Sequence, residues 1–263
     1  MDLIAVDIGN SRITLGVFVE DKLERTEHVP VDQPEKLSTI LKEFRILCGP
    51  QEHGAQTVPV VVCSVNPNSL ADVEKALLQT LDQNVLLVGR NVPLDLKIAV
   101  EDSDSIGSDR LLNAAAAYDV VQTAVVVADF GTATTIDCVN EMGIFLGGVI
   151  MPGLGLAAKS LHAFTAQLPE VPVELPNADY GTNTISSIQS GIYFAALGTL
   201  REMTERFATQ LGQWPQVIAT GGYCKLIAQK CDMIDSVVPD LCLNGIFLAY
   251  KKLNENPTES NIE

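Results

Sequence analysis

One pattern occurs twice in this chain. Leu3-Ile4-Ala5-Val6 runs into Asp7-Ile8-Gly9-Asn10-Ser11 and then into the β-rich run Ile13 to Val19. Ala124 to Ala128 runs into Asp129-Phe130-Gly131-Thr132 and then into a second β-rich run ending at Cys138-Val139. Short apolar runs bounded by turn residues read as buried strands. Glycine lets the backbone turn tightly and approach a ligand with no β-carbon in the way. Backbone N–H groups and threonine hydroxyls at such turns suit phosphate oxygens. Two carboxylates of this kind facing one cleft repel each other unless cations and a polyphosphate balance them. The repeat therefore predicts two lobes, each presenting an Asp-x-Gly turn to a shared nucleotide cleft.

The rest of the chain alternates strands and helices, which predicts an α/β architecture. Lys22 to Pro30 reads as a third strand. Leu37, Ile40, Leu41, Phe44 and Leu47 recur at helical spacing, and Gly49-Pro50 stops them. Gln51 to Thr57 reads as polar loop, Val58 to Val65 as a buried strand, and Asn66-Pro67-Asn68-Ser69 as the capped entry of a helix through Leu81. Asn84 to Val88 reads as a strand and Asn91 to Ser108 as irregular chain. An alanine-rich helix follows from Asp109 to Val121. Gly143 to Gly153 reads as a strand whose internal glycine pair marks a bulge or a close backbone approach. A helix runs from about Leu154, then an extended Pro-containing stretch from Leu168 to Gly181, then one long helix from Asn183 to Gln210. Val217 to Thr220 is a strand, with a helix after it and a final helix from Asp240 to Leu253. The expected domains are 1–113, 114–253 and an acidic flexible tail, 254–263.

Of 263 residues, 47% are hydrophobic and 19% charged, with a net charge of −16. An acidic surface argues against non-specific nucleic acid binding and leaves room for a nucleotide ligand. No stretch approaches the length of a membrane span and the start lacks the pattern of a signal peptide, so a cytoplasmic protein with neither a nucleic acid nor a membrane partner is expected. The six cysteines (48, 63, 138, 224, 231, 242) are scattered with no C-x-x-C pair. They read as buried free thiols of a reducing compartment rather than a metal site.

Three further stretches can carry chemistry. Gly107-Ser108-Asp109-Arg110 heads the alanine-rich helix. Asp109 there either complements the positive helix end or orients a hydroxyl, and Arg110 either pairs on the surface or grips a carboxylate with its planar fork. Thr220-Gly221-Gly222 either turns the chain or lets a nucleoside lie against the backbone. Gly181-Thr182-Asn183-Thr184 caps the long helix and can also offer a hydroxyl.

Together with Gly147-Gly148-Val149-Ile150-Met151-Pro152-Gly153, these motifs stand in an order that resembles the type III pantothenate kinases, of the acetate and sugar kinase, Hsp70 and actin superfamily. The resemblance covers nearly the whole chain. It implies two ribonuclease-H-like (actin-like ATPase) lobes around a central nucleotide cleft, a homodimer, and ATP-dependent phosphorylation of pantothenate, the first step of coenzyme A synthesis. It further implies a role for each matched residue. The turn from Asp7 through Ile8, Gly9, Asn10, Ser11, Arg12 and Ile13 to Thr14 lines the ATP phosphates, with Thr132 a further ATP contact. Asp7 helps hold Mg²⁺, Asp129 binds a monovalent cation (K⁺ or NH₄⁺), and Asp109 is the general base. Gly107, Ser108, Asp109, Arg110 and Thr184 contact pantothenate, with Thr184 reaching the partner subunit's site, and Gly221 and Gly222 lie near the nucleoside. The sequence departs from the family pattern twice. Val100 stands where an aromatic is usual, and Ser108 stands where Ala is usual. A regulatory, non-catalytic member of the fold, or a kinase for another small hydroxy acid or sugar, are the competing readings.

Overall fold

The computed structural model describes residues 1–49, 58–81 and 85–255. The loop expected at Gln51 to Thr57 and most of the tail expected at 254–263 lie outside them. The described residues form two compact units. The first comprises the described residues of Met1–Asp95, Asp104–Ala116 and Cys242–Glu263, and the second Leu96–Ser103 and Ala117–Leu241. This division differs from the expected lobes in three places. Residues 96–103 belong with the second unit, while residues 114–116 and the last helix from Cys242 onward belong with the first.

The first unit begins with β1 (Leu3–Ile8), β2 (Arg12–Val19) and β3 (Lys22–Pro30), all as the apolar runs predict. A 3₁₀ turn over Pro34–Lys36 leads into α1 (Leu37–Leu47), which ends before Gly49 with its φ of 75°. Next come β4 (Val60–Ser64), α2 (Pro67–Leu81) and the two-residue β5 (Leu86–Leu87). Of the capping candidates at that entry, Asn66 caps α2, its side chain accepting the Ser69 N–H at 3.2 Å. The stretch expected to be irregular holds a short strand, β6 (Lys97–Ile98), before α3 (Ser108–Val121).

The second unit continues with β7 (Val125–Phe130), β8 (Ala133–Val139), β9 (Ile144–Pro152), α4 (Leu154–Ala163) and α5 (Thr184–Leu211). Then follow β10 (Gln216–Thr220), a single turn α6 (Cys224–Ile227), β11 (Ser236–Val237) and α7 (Leu241–Glu255).

Both units repeat one topology. In the first, the described sheet runs β3-β2-β1-β4-β5, with β1, β2 and β3 antiparallel and β1, β4 and β5 parallel. In the second it runs β9-β8-β7-β10-β11 in the same senses, with β6 added beside β9. The duplicated Asp-x-Gly pattern is the sequence trace of this repeat. Each Asp sits near the end of its unit's central strand. Asp7 pairs with Thr14 on β2, and Asp129 pairs with Thr135 on β8.

Side chains alternate across each strand, and this sets the layers. In the first sheet Ile4, Val6 and Ile8 face Leu37, Leu41, Phe44, Val73 and Leu77 of α1 and α2. Leu3 and Ala5 face the other way, onto Leu112 of α3 and Leu243 and Ile246 of α7. With both faces covered, the central strand is apolar at nearly every position. At Gly245 the backbones of α7 and α3 come so close that a β-carbon would meet the Leu112 carbonyl. In the second unit Val126, Ala128 and Phe130 pack on Leu154 of α4 and on Tyr193, Ala196 and Leu200 of α5. The glycine pair in β9 shows both of the features it can mark: a β-carbon on Gly148 would strike the Ile136 carbonyl, and the strand is bulged. Its register against β8 shifts between Cys138 and Val139, beside Gly147 at φ 109°. Among the described residues no helix is long and apolar enough to cross a membrane.

Candidate active site

In the first unit the Asp7 turn is closed by the Gly9 N–H donating to the Arg12 carbonyl at 3.0 Å. That N–H is therefore spent within the turn. Asn10, Ser11 and Arg12 are exposed at its tip. Ile8 and Ile13 are wholly buried in the core under α1 and α2, so only their main chains can serve a ligand. Thr14 is 6% exposed and its hydroxyl lies 3.3 Å from Nδ1 of His28. These three residues build the turn rather than offer side chains to phosphate.

Asp7 points to the sheet face that carries Ala5. Parallel pairing of β1 with β4 sets Asp7 opposite Cys63, and α7 brings Cys242 to the same face. The ligand atoms of Asp7, Cys63 and Cys242 all lie within 4.8 Å of one another. The Cys242 thiol is pushed well above its ordinary value, first by its hydrogen bond with Cys63, then by burial and the negative charge of Asp7. Sequence spacing gave no hint of this group, because it comes from strand pairing and helix docking.

Asp109 lies in the first turn of α3. Its Oδ1 accepts the Arg110 N–H at 2.8 Å, and the same N–H donates to the Gly107 carbonyl at 3.1 Å. Burial raises the Asp109 carboxyl above the usual aspartate value, against the lowering effect of that N–H and of the Arg110 charge. Gly107 lies directly beside the carboxylate. A β-carbon there would stand 2.5 Å from Oδ1 of Asp109. Ser108 turns its hydroxyl to Cys63, Oγ to Sγ 3.1 Å. A half-buried carboxylate with a raised proton affinity, at a helix start with glycine beside it, is suited to accept a proton from a bound hydroxyl.

The second unit gathers three of the sequence motifs around Asp129. A β-carbon on Gly131 would approach Oδ1 of Asp129 to 3.1 Å, and one on Gly221 would collide with it. Gly221 has φ 86°, which favours glycine in any case. The Gly131 N–H is spent on the Ala133 carbonyl, and the Gly153 N–H donates to the Thr132 carbonyl, each at 3.1 Å. A β-carbon on Gly153 would strike the Gly131 and Thr132 carbonyls. The carboxylate thus sits in a cradle of bare backbone that only glycines leave open, and Thr132 is exposed at its rim. Thr220 plays a structural part, its hydroxyl donating to the Pro239 carbonyl at 3.2 Å.

Thr184 is the first residue of α5 and is exposed. Asn183 caps the helix, accepting the Ser186 N–H at 3.0 Å, while the Ser186 hydroxyl accepts the Asn183 N–H at 3.2 Å. Thr184 borders an apolar groove of about 880 Å³ between α4 and α5, with Leu161, Phe164 and Ile188 on its walls. Val100, the departure from the family's aromatic, lies 3.5 Å from a β-carbon built on Gly147.

Two duplicated ribonuclease-H-like units, each with an Asp at the end of its central strand, define the actin-like ATPase and sugar kinase fold. The solved (R)-2-hydroxyglutaryl-CoA dehydratase component A from Acidaminococcus fermentans shares that fold, with a TM-score of 0.56 at 13% identity over 97% of this chain and 99% of its own. Residues 3–206 match the family described as type III pantothenate kinase. A type III pantothenate kinase of Dehalococcoides mccartyi is 35% identical over 95% of this chain and 97% of its own. Another, from Agathobacter rectalis, is 33% identical over 96% and 98%. The chain belongs to the type III pantothenate kinases.

Proposed function

We propose that this chain transfers the γ-phosphoryl group of ATP to the hydroxyl of pantothenate, giving 4′-phosphopantothenate for coenzyme A synthesis. The observation that carries the reading is Asp109. It is a carboxylate whose burial raises its proton affinity, held at the head of α3 beside a glycine that leaves it room. In the proposed reaction Asp109 accepts the hydroxyl proton as the phosphoryl group arrives. Arg110 pairs with the substrate carboxylate, and Gly107 and Ser108 shape the ground beside it. Phosphoryl transfer is mostly positioning and charge stabilisation, so a carboxylate base suffices.

The turn from Asp7 to Thr14 takes the ATP phosphates through its main chain and the exposed Asn10, Ser11 and Arg12, and Thr132 supplies a further contact. Mg²⁺ is held by few protein carboxylates together with substrate phosphates, and Asp7 fits that habit. Asp129, flanked by Gly131 and Gly221 with no side chain in the way, fits a monovalent cation, K⁺ or NH₄⁺. Bound there, these cations supply positive charge to the phosphates. Gly221 and Gly222 are assigned to the nucleoside.

The same reading makes the protein a cytoplasmic homodimer in which Thr184 serves the partner's substrate. The exposed apolar side chains of α4, α5 and the residues beside them support that assembly, with Phe164 87% exposed and Ile185 50%. Replacing Asp109 by Asn tests the proposal. Turnover should fall by about a hundredfold or more while ATP still binds, and near-normal turnover would remove Asp109 from its role.

A further inference from the structure

We propose that Asp7, Cys63 and Cys242 form a binding site for one thiophilic divalent cation of the zinc and cadmium class. The donors come from three elements, β1, β4 and α7, and lie within 4.8 Å of one another. Cys63 and Cys242 are already in hydrogen-bond contact. No other group of three such donors occurs among the described residues.

Two sulfurs and one carboxylate are a donor set that prefers zinc-class ions to magnesium, since soft thiolates select them. Tetrahedral bonds of about 2.3 Å to sulfur put neighbouring donors about 3.8 Å apart, so the group needs to close on an ion by at most about an ångström. On binding, each thiol releases its proton to solvent and the two thiolates and the Asp7 carboxylate donate to the cation, with no redox change. The Ser108 hydroxyl, 3.1 Å from the Cys63 sulfur, borders the site on its α3 side.

The site stands independently of the kinase reading. One consequence rests on that reading. Asp7 is assigned to the magnesium nucleotide, so a thiophilic cation at this site removes it from ATP and stops turnover.

The test uses the full-length chain, reduced and kept free of oxygen, titrated with Co²⁺ and separately with Cd²⁺. Thiolate-to-metal charge-transfer absorption is the readout. The expected result is a band that saturates at one equivalent, survives in Cys48→Ala, and is lost in both Cys242→Ser and Cys63→Ala. If the buried Cys63→Ala chain does not fold by circular dichroism, Cys242→Ser at the head of α7 decides. No thiolate band, or a band unchanged in Cys242→Ser, overturns the site. Kinase assays on the same samples separate the consequence. Inhibition by Cd²⁺ that Cys242→Ser relieves supports the shared role of Asp7. A Cd²⁺-loaded enzyme with full turnover overturns that role and leaves the spectroscopic result to judge the site.

Discussion

Gly107 makes room for Asp109: a β-carbon on the glycine would stand 2.5 Å from the Oδ1 that accepts the Arg110 N–H. The atom that must yield is the end of a side chain and not backbone. Gly107→Ala should therefore displace the carboxylate and leave the fold standing. Misplacing a reacting group by about an ångström costs on the order of a hundredfold in rate. Steady-state kinetics should show a fall of that order in kcat with a thermal midpoint close to the parent's.

Asp109→Asn should lower turnover by about a hundred- to ten-thousandfold, the usual contribution of a positioned base. Its stability should move the other way. The folded-state proton affinity of Asp109 is raised, so the fold favours the neutral form. That contribution is complete below the unfolded pKa and lost as pH rises through the folded one. Asparagine stays neutral throughout, so thermal melts at neutral pH should find the variant at least as stable as the parent.

The same shift fixes a pH dependence. A base must be deprotonated to work, and Asp109 holds its proton above the 3.8 of an ordinary aspartate. kcat/KM for the phosphate acceptor should decline on the acid side with an inflection above 3.8. An acid limb at or below that value would detach the base role from this carboxylate.

Gly221 combines φ 86° with backbone so close that a β-carbon would stand 2.7 Å from the Phe130 carbonyl carbon and collide with Oδ1 of Asp129. Gly221→Ala should cost about 1–3 kcal/mol through backbone strain alone. Because Asp129 must move as well, the variant should need more monovalent cation for half-maximal rate. Denaturant melts and a K⁺ titration of the rate read the two effects separately.

Phe164 closes α4 and stands 87% exposed beside the groove that Thr184 borders. A charge there is costly only if another surface covers it. Phe164→Glu should leave the monomer folded and weaken self-association, which sedimentation at several protein concentrations will show. Turnover should fall with it, since Thr184 is assigned to the partner's substrate.

The repeat was legible because it writes itself in period and turn chemistry. Both Asp-x-Gly turns, the capped entrance to α5 and the bulge at Gly147 follow from local residues alone. Two of the three two-residue strands were not legible. β5 lies in the apolar run Val85 to Val88, whereas β6 and β11 lie in stretches with no comparable apolar run. The partner of α7 was hidden too. An amphipathic pattern says that a helix is buried on one side, and only packing against Leu112 and Ala5 says where. The cluster of Asp7 with Cys63 and Cys242 was lost for the same reason. Strand alternation puts Asp7 and Cys63 on one face, but the parallel pairing of β1 with β4 had to be known first. Ile8 and Ile13 sit in a motif that the family resemblance assigns to ATP, yet their side chains belong to the core.

The measurement closest to the central claim is ADP release with pantothenate as acceptor, in the presence of ATP and Mg²⁺, with and without K⁺. The account predicts ADP formed in step with phosphorylated pantothenate, dependent on Asp109 and faster with K⁺. No ADP with pantothenate, or preferential phosphorylation of another hydroxy acid or sugar, would contradict it.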